Sequence, residues 1–149
     1  MNSLRTEYPL TKDKIIQMLL AHNIQPTQQR VLVAEVLFSK PQHLSADQIK
    51  ARINHPAGGG PNTKVSKATV YNTLGLFAQK GLVNEVIVDP SRVFYDSNTT
   101  PHYHRYNIDT GALEDIESDQ LQISCLPELP DDVEVAGVDV IVRVRGRRN

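Results

Sequence analysis

The stretch that decides the fold of this chain is Lys64–Leu82, which reads KVSKATVYNTLGLFAQKGL. Ser66 is well placed to cap a helix, because its hydroxyl can accept a hydrogen bond from an unpaired backbone N–H group of the first turn. The apolar residues that follow at helical spacing predict one buried stripe: Val70, Leu74 and Phe77. Gly81 is a typical helix stop. The pattern predicts a short amphipathic helix between Ser66 and Gly81.

The polar face of this helix and the residues after it favour one kind of architecture. The polar residues near the helix start are Lys67, Thr69, Tyr71 and Asn72. Residues Val83–Val88 and Arg92–Asp96 read as two strands joined by a turn at residues 89–91. A helix followed by a hairpin is typical of the winged helix-turn-helix, whose recognition helix enters the DNA major groove. From the helix alone, an ordinary surface helix is an equal alternative.

The residues before this stretch read as three further helices. Lys12–His22 follows a capping residue at Thr11, and a second helix starts at residues 26–27 and stops near Pro41. Ser45 and Gln48 match a capping box that opens a third helix, to Ile53. Residues 55–63 contain three glycines and two prolines, which predicts a flexible surface insertion. A phosphate-binding glycine loop is disfavoured, because no Lys-Ser/Thr pair follows in register.

The residues after the hairpin indicate a second, smaller unit. Residues 98–101 are polar, contain a proline and read as a hinge. His102–Ile108 and Ala112–Ile116 predict two strands around a turn. Ser118–Cys125 predicts a helix that ends before Pro127. Val133–Val144 alternates and is rich in valine, so we expect a long strand that pairs across a dimer.

Composition narrows the classes of protein. No apolar run approaches the length of a membrane span, and the first residues lack the apolar core of a signal peptide, which predicts a cytoplasmic protein. Residues 1–97 carry 11 Lys and Arg against 7 Asp and Glu, a balance of +4, whereas residues 98–149 carry 5 against 10, a balance of −5. This asymmetry indicates a basic unit that faces a polyanion, joined to an acidic unit with another role.

The candidate ligand residues concentrate around His102 and His104. Residues i and i+2 of a strand point to the same side, so both imidazoles would face one point. Three further donors lie within reach in a hairpin-rich fold: His43, Asp96 and Asp115. Imidazoles with carboxylates and no thiolate suit iron(II), manganese(II) or zinc. The alternative is that the histidine pair is a surface or packing feature.

Two other classes of function remain open at this stage. A metal-dependent hydrolase is disfavoured, because no serine or cysteine nucleophile lies beside a plausible base in sequence, and we expect a protein that is not an enzyme. A winged-helix module that binds protein instead of DNA is the other alternative. The one cysteine, Cys125, excludes a multi-cysteine zinc site.

Several segments together resemble the ferric uptake regulator family of bacterial metal-dependent repressors. They occur in the family's order and span about residues 11–145: Pro26–Arg30, His43–Asp47, Ala68–Leu74, Gly81–Val83, Phe94–Asp96 and His102–His104. The resemblance implies an α+β fold with an N-terminal winged helix-turn-helix DNA-binding domain over residues 1–97. A hinge at residues 98–101 and a C-terminal α/β dimerisation and metal-sensing domain over residues 102–149 would follow.

The resemblance also implies a ligand set, and the proposed winged-helix mechanism leads us to expect a set of DNA contacts. The metal ligands would be His43, Asp96, His102, His104 and Asp115. The residues that contact operator DNA would be Arg30, Lys67, Thr69, Tyr71 and Asn72. The family often has two Cys-x-x-Cys pairs for a structural zinc, but the positions of the first pair hold Asn107 and Thr110, so we expect no such zinc here.

Within the family, the iron response regulator branch is the most similar. It shares the segments Val93–Thr100, Leu113–Glu117 and Val140–Arg145. This likeness predicts a metal- or haem-responsive regulator of iron and haem homeostasis genes, with haem bound through His102 or His104. The branch's Cys-Pro haem motif is missing. An iron-dependent peroxide sensor or a manganese sensor of the same family is the alternative. In each case the partners would be a second copy of the chain and pseudo-palindromic DNA, with no membrane.

Overall fold

A computed structural model describes residues 8–55 and 64–148. It divides the chain into two compact units, residues 1–99 and 100–149, and each is described by itself. The predicted flexible insertion falls outside the described residues except for His55, and so do residues 1–7 of the N-terminal arm. The assignment of residues 98–101 as a hinge stays a prediction.

The N-terminal unit is built mainly around α-helices. In the described residues they are α1 (Lys12–Ala21), α2 (Gln28–Leu37), α3 (Ala46–Asn54) and α4 (Lys67–Gln79). Each begins after a hydroxyl residue whose side chain accepts a bond from a first-turn N–H group: Thr11, Thr27, Ser45 and Ser66. The predicted capping box is confirmed, since both of its reciprocal bonds are present. Within residues 8–55 and 64–148, no helix is both long and apolar enough to traverse a bilayer.

The core of this unit lies beneath α4. The predicted stripe of Val70, Leu74 and Phe77 is completely buried, in a cluster that takes side chains from all four helices. The helix ends as predicted, with Gly81 in the left-handed backbone region at a φ of 77°. Burial of its apolar stripe therefore fixes which face of α4 is turned outward.

A three-stranded antiparallel sheet completes the N-terminal unit. Its strands are β1 (His43–Ser45), β2 (Asn84–Asp89) and β3 (Arg92–Asp96), in the order β1-β3-β2. The β2–β3 hairpin was predicted, and its presence after α4 confirms the winged helix-turn-helix. Strand β1 was not predicted, because three residues are too few to show a period-2 pattern. It pairs with β3 and places His43 at the sheet's edge.

A second three-stranded sheet forms the C-terminal unit. It contains β4 (Tyr103–Asn107), β5 (Leu113–Ile116) and β6 (Ile141–Val144), in the order β5-β4-β6. The β4–β5 pairing is antiparallel and the β4–β6 pairing is parallel. In the described part of this unit, Tyr106 is the one buried hydrophobic residue. Most of its apolar side chains are therefore not covered by the chain itself.

Two predictions for the C-terminal unit were wrong. Ser118–Cys125 is not a helix, and Ile123 is 39% exposed. Most helical stability comes from packing an apolar face, and this segment has no core to pack against. Of the predicted strand Val133–Val144, only Ile141–Val144 is a strand, because β4 offers a partner of just five residues.

We expect opposite effects from alanine at two glycines of the α4 region. No heavy atom lies within 4 Å of a β-carbon built on either Gly75 or Gly81. The backbone conformation at each position therefore decides whether alanine stabilises or destabilises the unit. Gly75→Ala should stabilise the unit by about 0.5–1 kcal/mol, because glycine is a poor residue inside a helix. Gly81→Ala should destabilise it by about 1–2 kcal/mol, because the left-handed conformation crowds a β-carbon. Urea unfolding measures both changes in the free energy of unfolding. A change in the same direction for the two variants would contradict this explanation.

Candidate functional site

The first pair of donors lies at the edge of the N-terminal sheet. Antiparallel pairing of β1 with β3 sets the Cα of His43 opposite that of Asp96. Nε2 of His43 lies 3.3 Å from Oδ2 of Asp96, and the aspartate is only 1% exposed. The other carboxylate oxygen, Oδ1, accepts a bond from the backbone N–H of Asn98 at 2.9 Å. Asp96 is thus oriented by the backbone, with Oδ2 directed at the imidazole.

The residue before His43 is anchored to two helices. The amide of Gln42 donates to the carbonyl of Val36 at 3.0 Å, at the end of α2, and to Oγ of Ser39 at 3.1 Å. Its side-chain oxygen accepts a bond of 2.9 Å from Arg52 on α3. Gln42 therefore holds the start of β1 against the helices. Sequence reasoning missed this residue, because no motif distinguishes a bridging glutamine.

The second group of donors lies at the start of the C-terminal sheet. The β4–β5 register sets His104 opposite Asp115, and His102 immediately precedes β4. Oδ1 of Asp115 lies 3.2 Å from Nε2 of His102 and 3.5 Å from Nε2 of His104. The two rings are 4.5 Å apart. One ligand atom from each residue lies within 4.8 Å of the other two, which is the spacing of a metal site.

The hydrogen bonding of His102 indicates which of its nitrogens is available to a ligand. Nδ1 lies 2.6 Å from the carbonyl oxygen of Thr100, and a carbonyl can only accept, so Nδ1 carries the hydrogen. Nε2 is left to face Oδ1 of Asp115, 3.2 Å away. Either a proton on Nε2 or a bound cation would make this contact favourable. A backbone carbonyl that orients a histidine ring in this way is also common behind metal-binding histidines.

The surface of α4 brings together the residues predicted to contact DNA. Arg30, Thr69 and Asn72 line one shallow cavity of about 270 Å³ between the starts of α2 and α4. Nη1 of Arg30 donates to the carbonyl of Gln25 at 2.9 Å, which fixes the guanidinium at the cavity's rim. A side-chain hydrogen bond to the backbone restrains a long side chain before any ligand arrives.

The remaining two predicted contacts lie next to each other on α4. Nζ of Lys67 is 5.8 Å from the centroid of the Tyr71 ring and 4.0 Å from a carboxylate oxygen of Asp47. Tyr71 is 43% exposed, so its ring is accessible on the surface of α4. The outward face of α4 thus presents a cation, an aromatic ring and small polar groups.

Two strands of the wing have perturbed ionisable groups. Hydrogen bonds from the Ser91 hydroxyl and backbone hold the pKa of Asp89 below its usual value, so the turn keeps its negative charge. Burial, with the nearby charges of Glu85 and Tyr71, raises the pKa of Tyr95. Tyr95 therefore stays neutral throughout the physiological range.

The sequence matches the profile of the ferric uptake regulator family over residues 21–130. The chain belongs to this family. Its members are metal-responsive transcription regulators and not enzymes. The family prediction is thereby confirmed.

Relatives within the family differ in the signals that their names record. A peroxide-responsive repressor, PerR, of Staphylococcus aureus strain Mu50 is 32% identical over 109 residues, or 73% of this chain and 70% of the relative. The ferric uptake regulator of Pseudomonas aeruginosa, solved with manganese, has a TM-score of 0.64 at 22% identity and covers 89% of this chain and 97% of its own. The peroxide stress regulator of Campylobacter jejuni has a TM-score of 0.56 at 23% identity and covers 89% of this chain and 96% of its own. The two structures establish a shared fold.

Proposed function

We propose that this ferric uptake regulator homologue binds one divalent ion through all five predicted ligands, and that the ion controls its binding to operator DNA. The proposal rests on the convergence of His102, His104 and Asp115, whose ligand atoms lie within 4.8 Å of one another, with the His102 ring oriented by the carbonyl of Thr100. The pair His43 and Asp96 is a second, incomplete donor set of the same chemistry. The ion would be iron(II), manganese(II) or zinc, which accept nitrogen and oxygen donors.

Donor number and charge support a single shared ion. Two donors on one unit are too few to hold such an ion alone, and the three on the other leave open coordination positions on ions that take about four to six ligands. Two carboxylates would balance the charge of one divalent cation, with the imidazoles neutral. Asp96 and His102 are six residues apart, so an extended chain keeps their Cα atoms within roughly 20 Å. The short connection holds each donor set at a high effective concentration for the other.

The regulatory consequence follows from donors that belong to two units. His43 and Asp96 are fixed to the DNA-binding unit, whereas His102, His104 and Asp115 are fixed to the C-terminal sheet. An ion that needs both donor sets binds more tightly to the interdomain arrangements in which the two sets meet than to the others. This difference in affinity shifts the population toward those arrangements. In a dimer, this would set the spacing and tilt of two recognition helices, which must reach successive major grooves on a pseudo-palindrome.

The apolar surface of the C-terminal unit supports a homodimer. Several large hydrophobic side chains of this unit are exposed in the described residues: Ile108, Ile123, Leu126, Leu129, Val133, Val135, Val138 and Val142. A three-stranded sheet with one buried hydrophobic residue is a poor independent core. A second copy of the chain would bury these side chains and so complete the unit.

The contacts to DNA would divide between bases and phosphates. We assign Tyr71 to a base edge, where its ring would contact a thymine methyl group. Arg30, Lys67, Thr69 and Asn72 would hold phosphates and thereby set the register of the helix. The protein would act in the cytoplasm, on genes of iron and haem homeostasis.

Peroxide or manganese sensing is the second candidate, and the peroxide-responsive relative in Staphylococcus aureus favours the former. The placement in the iron response regulator branch, and haem bound through His102 or His104, stay predictions from the sequence. The signals can be separated by comparing operator affinity of iron-loaded, manganese-loaded and haem-treated protein before and after peroxide.

Removing ligands from either unit should abolish the response to metal. In His102→Ala/His104→Ala and in His43→Ala, we expect the ion's affinity to fall at least about 100-fold, more than for loss of a supporting residue. Operator affinity, measured by fluorescence anisotropy, should no longer change on addition of manganese(II). His22→Ala is the matched control, since this histidine bonds to Met18 within α1 and lies outside both donor sets. A His43→Ala variant that responds like wild type would contradict a shared ion.

Tyr71→Ala should lower sequence discrimination and leave non-specific binding intact. Loss of an apolar base contact should weaken operator binding by about 1–3 kcal/mol. Binding to random-sequence duplex depends on phosphate contacts, so its affinity and salt dependence should persist. Binding isotherms at several salt concentrations measure both. An equal loss on operator and random DNA would assign Tyr71 to the backbone instead.

A further inference from the structure

Asn54 pairs with the backbone of a residue that lies eleven positions further on. Its Nδ2 donates to the carbonyl of Val65 at 3.3 Å, and its Oδ1 accepts from the N–H of Val65 at 2.9 Å. The side-chain amide thus satisfies both polar groups of one residue, as a neighbouring strand's peptide group would. Asn54 is the last residue of α3, and Val65 directly precedes the N-cap of α4.

The pairing fixes the point at which the recognition helix begins. Val65 is 3% exposed and belongs to the core, so the amide pair satisfies both backbone polar groups of a buried residue. The next residue, Ser66, accepts from the N–H of Thr69 at 3.2 Å and donates to its hydroxyl at 2.9 Å. A shift at Val65 would therefore move the cap and, with it, the side chains at the start of α4.

The chain between Asn54 and Val65, residues 55–64, includes three consecutive glycines, Gly58–Gly60. The two hydrogen bonds join the described ends of this stretch directly. The closure entropy of a loop also changes only slowly with its length.

We propose that Asn54 is a positioning residue for DNA recognition, whose amide sets the start of α4 and uncouples it from the length of the segment at residues 55–64. The inference rests on the proposed DNA-binding function. Two consequences for DNA recognition can be tested separately. Loss of the amide should impair recognition, and shortening the segment should not do so while the amide is present.

The test uses the full chain and three variants. Asn54→Ala removes both hydrogen bonds, whereas Asn54→Asp keeps the acceptor for the Val65 N–H and loses the donor. The third variant deletes Gly58–Gly60, alone and in combination with Asn54→Ala. Gln17→Ala, which removes an exposed amide of α1, is the matched control. The readouts are hydrogen exchange at the Val65 amide and affinity for two duplexes, an operator selected with the wild-type protein and a random sequence.

We expect Asn54→Ala to increase Val65 exchange and to lower operator affinity about tenfold, with random-duplex affinity within about twofold. Asn54→Asp sets a carboxylate oxygen against the Val65 carbonyl oxygen, so it should lower operator affinity at least as much as Asn54→Ala. The deletion alone should be neutral, but in the Asn54→Ala background it should change operator affinity, which is a coupling that a purely structural role would not produce. Retained random-duplex binding reports that a variant is folded.

Three results would overturn the proposal. Unchanged Val65 exchange in Asn54→Ala would show that the clamp is not what holds this residue. Unchanged operator affinity despite faster exchange would show that the clamp does not position α4. A deletion that weakens binding with Asn54 present would show that the segment itself matters. If wild-type protein fails to prefer the operator, the proposed function fails, and the exchange result still decides whether the clamp exists.

Discussion

The candidate site depends on strand register. Antiparallel pairing of β1 with β3 sets His43 opposite Asp96, and pairing of β4 with β5 sets His104 opposite Asp115. A shift of one residue in either pairing would turn a donor to the opposite face of its sheet. Strand pairing therefore brings the candidate donors together during folding, so that a metal ion would not have to pay the entropy of assembling them.

The same unit that holds one donor pair also carries the recognition helix. The apolar stripe of α4 is buried with α1, α2 and α3, while Gln42 ties β1 to the ends of α2 and α3. One packed core thus connects the strand that holds His43 with α4. In the proposed mechanism, this packing would let an ion bound at the sheet's edge orient the recognition helix.

Much of this arrangement could be predicted from the sequence, because it depends on local signals. Helix α4 is marked by a cap, an apolar stripe and a stop at Gly81, and the hairpin by its turn residues. Strand β1 carries no such signal, since its three residues exist through pairing with β3. The segment Ser118–Cys125 has a local pattern typical of a helix but is not helical, because it has no surface to pack against. The candidate metal donors could also be proposed from local sequence patterns. The bridging roles of Gln42 and Asn54 could not, because they depend on partners that are distant in sequence.

The central claim is that one ion joins donors of two units and restricts their relative arrangement. It is tested most directly by distances between spin labels on Cys125, the chain's single cysteine, and on Gln17→Cys in α1. Diluting labelled protein with unlabelled, cysteine-free protein isolates the distances within one chain, and zinc avoids paramagnetic interference. The account predicts a broad distribution without metal that narrows with zinc and does not narrow in His43→Ala. A distribution that zinc leaves unchanged in the wild-type protein would contradict it.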